Sequence, residues 1–184
     1  MKKFRLVLFL FCTVFLTGCI ALPQAEVSNQ TENQVTNKPA EEILKPEITV
    51  PETQEISLYY YNENQDKDAS GNAMCGEAAV LPIKRQIAKS DKLIEDTLNL
   101  LLKGEITPVE KDQGFKTEFP LPGLSLKKTE LTDGKLSLEF EDLQNKSGGG
   151  SCRVGILWFQ IKKTAMQFPE VKEVVFVPET LFQP

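Results

Sequence analysis

The sequence predicts one small α+β domain, ordered β-β-α-β-β-β-α-β, with two helices packed on one face of a mixed sheet. Three observations carry that reading. Residues 124–131 and 136–140 alternate apolar and polar side chains around Thr132-Asp133-Gly134-Lys135, and Asp-Gly between alternating runs marks a type I′ hairpin. From Val154 onward, Leu157, Trp158, Ile161, Ala165 and Phe168 fall on one helical stripe, and Val174-Val175-Phe176-Val177 follows as a short β-branched strand. Leu93, Ile94, Leu98, Leu101 and Leu102 line a second helix face that ends at Gly104.

Taken in order, residues 56–61 form a first strand with Ile56, Leu58 and Tyr60 on one face. Residues 62–74 are polar, and Asp66, Asp68 and Asn72 there lack the ligand order of a calcium loop, so a solvated loop is expected. Residues 78–87 make a second strand whose Pro82 places it at a sheet edge or start. Ser90 is the expected N-cap of the first helix, Asp91 complements its dipole and Gly104 is its C′ stop. A short strand at 115–119 ends at Pro120, and the hairpin follows. Gly148-Gly149-Gly150 then lets the chain turn, Ser151 is the expected cap of the last helix, and Phe168-Pro169 ends it.

Ahead of the domain lie two further segments. Lys2, Lys3 and Arg5 precede an apolar run at 6–16, a secretory pattern too short to span a bilayer. Leu16-Thr17-Gly18-Cys19 resembles the lipobox of bacterial lipoproteins, which implies cleavage of residues 1–18 and acylation of Cys19. Acyl chains contribute about 0.8 kcal/mol per buried CH₂ and would hold the protein on a membrane. Residues 19–55 have no hydrophobic period and read as a disordered acidic tether with a reach of roughly 30–35 Å. The domain is expected at 56–184, in a bacterial cell envelope on the far side of the cytoplasmic membrane.

Cleavage removes three of the 21 basic residues and none of the 26 acidic ones, so the formal charge moves from −5 to −8. That surface argues against nucleic acid as a partner. With Cys12 in the signal and Cys19 lipidated, Cys75 and Cys152 remain; a disulfide is expected in an exported domain, with a reduced pair or a redox couple as alternatives.

The chain contains no histidine, which removes Ser-His-Asp and Cys-His catalysis and histidine metal sites. Glu139 and Glu141 share an outward strand face and read as solvated rather than as a glycosidase pair. Gly148 to Ser151 could form an anion nest, but the helix entry Ser151-Cys152-Arg153 lacks the Gly-Lys-Ser/Thr of a nucleotide loop. No catalytic residue, metal or cofactor is expected. Ile156, Phe159 and Met166 lie off the main stripe of the last helix, and they are the candidate interaction surface.

From Ile56 onward several short motifs resemble, in order, the GerMN domain of sporulation and germination proteins. They are Tyr59-Tyr60-Tyr61, Val80-x-Pro82-x-x-Arg85-x-Ile87, Leu98-x-x-Leu101-Leu102-Lys103-Gly104 and Gly114-Phe-Lys-Thr-Glu-Phe-Pro120. Gln160-Ile161-x-x-Thr164-x-x-Gln167-Phe168-Pro169-x-Val171 completes the series. Glu105 stands where the family has a proline, which here is delayed to Pro108, and the paired cysteines are not a general family feature. The resemblance implies an envelope lipoprotein module, similar in architecture to ring-building modules, with no assigned catalytic residues. The expected function is therefore non-enzymatic, through an envelope protein partner or self-association, with a membrane attachment by lipid. The alternative is a small-ligand or glycan-binding lipoprotein using Tyr59, Tyr61 or the glycine loop.

Overall fold

The computed structural model describes residues 51–183. The expected signal peptide, Cys19 and the tether up to residue 50 lie outside the described residues. Strand β1, Thr53–Asn62, buries Ile56, Leu58 and Tyr60 and leaves Ser57, Tyr59 and Tyr61 half-buried, the alternation carried by the sequence. It begins at Thr53 because Thr53 already pairs with Ala88, and the Lys89 N–H donates to the Glu52 carbonyl. Strand β2, Val80–Ala88, runs antiparallel along β1 and forms the sheet edge, where Pro82 is tolerated.

Helix α1, Leu93–Leu102, buries Thr97, Leu98 and Leu101. Ser90 does not cap it. The Ser90 hydroxyl accepts the Lys92 N–H in a local turn, and the helix starts after Lys92 without a side-chain cap. Its end is as expected: Gly104 has φ +66, and its N–H donates to the Leu101 carbonyl.

A helix the sequence reading did not anticipate follows. In α2, Pro108–Asp112, the Thr107 hydroxyl accepts the Glu110 N–H while the Glu110 carboxylate accepts the Thr107 N–H. The same carboxylate receives both terminal nitrogens of Arg85, at 2.7 and 2.8 Å, so one glutamate ties α2 to β2. Arg85 holds the Glu110 carboxyl below its ordinary pKa.

Of the expected strand at 115–119, only Phe115–Lys116 pairs, as β3, against Asn62 and Tyr61. Strands β4, Leu124–Thr132, and β5, Lys135–Asp142, form the hairpin. Asp133 and Gly134 have φ of 52 and 86, both positive as a type I′ turn requires. Helix α3, Ser151–Met166, starts at Gly150 with no side-chain cap, so Ser151 does not cap it either. Strand β6, Glu173–Val177, then returns parallel to β5.

This is a single α+β domain with a mixed sheet and helices packed against strands. The strands, however, divide into two three-stranded sheets, β2-β1-β3 and β4-β5-β6, of which the second is mixed. The division has a local cause: β1 pairs with β3 only at its end, and further back α3 side chains occupy that edge. Helices α1 and α3 pack on each other, α3 also on β1, β2 and β6, and α1 also on β1 and β4. One core results, centred on Tyr60, Leu98, Leu101, Leu138, Leu157 and Ile161, each at most 1% exposed.

Candidate functional site

Helix α3 presents three different faces. Val154, Leu157, Ile161 and Ala165 are buried, with Phe168 just beyond the helix end, as the apolar stripe requires. Beside that stripe runs a polar row. The Gln167 side-chain amide exchanges two hydrogen bonds with the backbone of Ser57, both 2.7 Å, and the Thr164 hydroxyl accepts the Tyr59 N–H at 3.0 Å. Two side chains thus supply the partners that a neighbouring strand would give β1.

The third face is the candidate surface. Met166 is 42% exposed, while Ile156 and Phe159 are half-buried. The Phe159 ring meets Trp158 edge-on at 5.3 Å, and the Lys162 ammonium lies 4.7 Å from the Trp158 ring. Ile156 lines a cavity beside Tyr61. Of the three candidate residues, Met166 is exposed, Phe159 is half-buried against Trp158, and Ile156 lines a cavity wall.

Cys75 and Cys152 form a disulfide, with Cα atoms 5.2 Å apart, joining the loop before β2 to the first turn of α3. Two aspartates hold the loop that carries Cys75 and the loop that leads into the helix of Cys152. Asp66, only 3% exposed, accepts the Tyr61 hydroxyl at 2.7 Å and the amides of Cys75 and Gly76 at 2.7 and 3.0 Å. Asp142 accepts the amides of Lys146 and Ser147 at 2.9 and 2.7 Å, fixing the chain that leads into the glycine turn. The loop at 62–74 is thus not simply solvated, because its first aspartate points inward. The sequence signal for both is an aspartate followed by a glycine- and serine-bearing loop, the composition in which a carboxylate gathers backbone amides.

These networks set the titration behaviour. Burial alone would raise Asp66, but the Tyr61 hydroxyl and the Gly76 and Cys75 amides outweigh it and hold its carboxyl below the usual range. Asp142 is held low in the same way, burial being outweighed by the Lys146 and Ser147 amides. Burial pushes Tyr60 up to about 12, and burial together with the Asp66 hydrogen bond does the same for Tyr61. A depressed carboxylate contributes stability that is present above its unfolded pKa of about 3.9 and lost as pH falls through the folded value. A raised phenol contributes stability that is present below its unfolded pKa of about 10 and lost as pH rises toward the folded value. The urea midpoint is therefore expected to be flat at neutral pH, to fall below about pH 4, and to fall again above about pH 10. Asp66→Asn should flatten part of the acid limb and Tyr61→Phe part of the alkaline limb; unchanged limbs in both variants would refute the assignment.

The other sequence candidates are not brought together. Tyr59 lies under the Lys163 ammonium, 5.4 Å from its ring, whereas Tyr61 is bonded to Asp66, so the two do not line one aromatic cleft. In the glycine turn, Arg153 donates to the Gly148 carbonyl and, through Nε, to Glu118 at 2.7 Å. Glu141 pairs with Lys127 at 3.1 Å on the open strand face. Among the described residues, no group of three or more His, Cys, Asp or Glu is placed to hold a metal ion.

A family model described as Germane, "Sporulation and spore germination", matches residues 57–179. Among solved structures, the chain is similar to the tandem GerMN domains of the sporulation protein GerM from Bacillus subtilis, with 21% identity and a TM-score of 0.45. That alignment covers 67% of this chain and 38% of the other, so the chain spans well under half of the tandem structure. The first GerMN domain of the same protein aligns at 15% identity and a TM-score of 0.45, over 67% of this chain and 80% of that one. No curated protein matches the chain.

Proposed function

The chain belongs to the Germane family of sporulation and spore germination, and on that premise we propose that it is a non-enzymatic, lipid-anchored envelope protein whose domain binds another protein through α3. The observation that carries this reading is exposed Met166 beside half-buried Phe159, flanked by Trp158 and Lys162, on a helix whose other faces are committed to the core and to β1. Scattered apolar residues such as Val109, 65% exposed on α2, are ordinary surface. A strip that sets one aromatic edge-on against another beside a flexible methionine is the composition of a protein contact. The lipobox-like Leu16-Thr17-Gly18-Cys19 and the acidic charge support attachment by lipid rather than by basic residues.

The test places a photo-crosslinking amino acid at 159, at 166 and, as a control, at 109 in living cells. A discrete adduct of the same partner is expected at 159 and 166 and not at 109. Phe159→Ser should weaken the purified pair by about tenfold or more. Equal adducts at all three sites would reject the surface. Cys19→Ser should move the protein from the membrane to the soluble fraction, and retention on the membrane would reject the anchor.

A further inference from the structure

The two sheets end in four outer edges, and three of them are blunted against a passing strand. On β2, Pro82 offers no N–H, and the Val80 and Lys84 carbonyls accept the Lys163 ammonium and the Arg85 guanidinium at 2.7 and 3.0 Å. The β3 edge is two residues long. Strand β4 shifts register between Leu126 and Lys128 and exposes Lys127, Lys128 and Glu130. Strand β6 has none of these devices. Its ladder with β5 runs unbroken from Glu173 to Val177, its one charged residue is Glu173 at the start, and Val177 is 43% exposed. The chain beyond it leaves the edge open. Pro178 starts a turn closed by the Leu181 N–H on the Pro178 carbonyl, Leu181 and Phe182 return to the core, and the described tail makes no hydrogen bond to the backbone from Val174 to Val177. Between tail and strand lies an open cavity of about 550 Å³, lined by Val174, Val175, Phe176, Glu179, Thr180 and Gln183.

We infer that the outer edge of β6 takes an extended segment of the protein partner as a fourth strand on the β4-β5-β6 sheet, antiparallel to β6, apolar at its centre and opening on a lysine or arginine that meets Glu179. The inference rests on the protein-binding reading above and deepens it. Strand addition asks the partner for backbone N–H and C=O groups at strand spacing and for side chains that fit the flanking surface. That surface is Val174 and Phe176 on the core face and Val175 and Val177 on the other, so the segment is apolar and β-branched. Antiparallel pairing sets the start of the segment beside the end of β6. There Glu179 is exposed and, among the described residues, has no cationic partner. A second copy would bring another Glu173 and Glu179 on an acidic chain, and like charge disfavours it. The edge also adjoins the α3 surface: the Trp158 ring, edge-on to Phe159, lies 6.4 Å from the Phe176 ring, so one partner reaches both.

The test titrates the ¹⁵N-labelled full chain with the peptide acetyl-Lys-Val-Thr-Val-Thr-Val-amide. Saturable shifts and slowed hydrogen exchange are expected at amides between Val174 and Val177. A version with proline in place of the second valine should not bind, and one with glutamate in place of lysine should bind about threefold weaker or more. Glu179→Gln should remove the difference between the lysine and glutamate versions, and an unchanged difference overturns the Glu179 contact. Val177→Lys changes an exposed side chain and should weaken the lysine peptide about tenfold in a chain that keeps its folded spectrum. No shift at β6, or equal binding of the proline version, overturns the inference. Shifts at β6 that grow with protein concentration in the absence of peptide assign the edge to a second copy and overturn it as well. The peptide acts without the partner, so the two readings fail separately. Crosslinks at 159 and 166 without peptide binding overturn strand addition alone. Peptide binding without crosslinks overturns the α3 surface and leaves the β6 edge standing.

Discussion

Replacing Cys75 and Cys152 together by serine lowers the stability of the domain by about 3–5 kcal/mol, measured by urea unfolding as a lower midpoint with a somewhat steeper slope, since the uncrosslinked unfolded chain is less compact. The bridge closes a loop with a sequence separation of 77, and the effect arises mainly from the freedom that the unfolded chain regains. The folded state keeps its local geometry, because Asp66 holds the loop that carries Cys75 and Asp142 holds the chain that leads into α3, each through backbone amides. The double variant is therefore expected to give a near-native spectrum at low denaturant. Adding reductant to the wild type should move its midpoint to that of the variant, and the variant itself should not respond. A loss under about 1 kcal/mol would show that the loop is already closed in the unfolded state.

Gly104→Ala is the second large effect. A Cβ at this position would lie 1.8 Å from the Phe119 carbonyl oxygen and 2.3 Å from its carbon, both backbone atoms, and the residue sits at φ +66. Neither the strained dihedral nor the overlap can be relieved by a rotamer change, so helix α1 must separate from the segment entering Pro120. A loss of about 3–4 kcal/mol is expected. Gly71→Ala separates the two causes: Gly71 has φ +85 with nothing within 4 Å of an added Cβ, so only the dihedral cost of about 1–2 kcal/mol applies. Equal losses at the two glycines would show that the Phe119 contact contributes nothing.

Local chemistry made much of this fold legible. Asp133-Gly134 specified its hairpin turn because it is one of the few common pairs that accept two positive φ values, and the 154–168 stripe specified the buried face of α3. Helix α2 was also encoded locally, in Thr107-Pro108-Val109-Glu110, but a five-residue helix has too few apolar positions to show a period. Ser90 misled because a serine ahead of an apolar run serves equally as a cap or as a turn, and only the Lys92 N–H, which it bonds, distinguishes them. What the sequence could not show was long-range pairing. Gln167 and Thr164 find their backbone partners 110 and 105 residues away, and no periodicity in a single chain links a polar helix row to a distant strand edge. The same holds for the division into two sheets.

The amide row on α3 also protects part of a sheet edge. A sheet edge with free N–H and C=O groups is a template for any passing strand, and uncontrolled pairing there leads to aggregates. At Ser57 and Tyr59 that template is already filled from within the same chain, by side chains that cannot detach without leaving buried polar groups bare. Unfilled edges are thereby confined to the outer sides of β2, β3, β4 and β6. The helix thus acts as a plug over the middle of β1, closing to a foreign strand the stretch that β3 leaves unpaired.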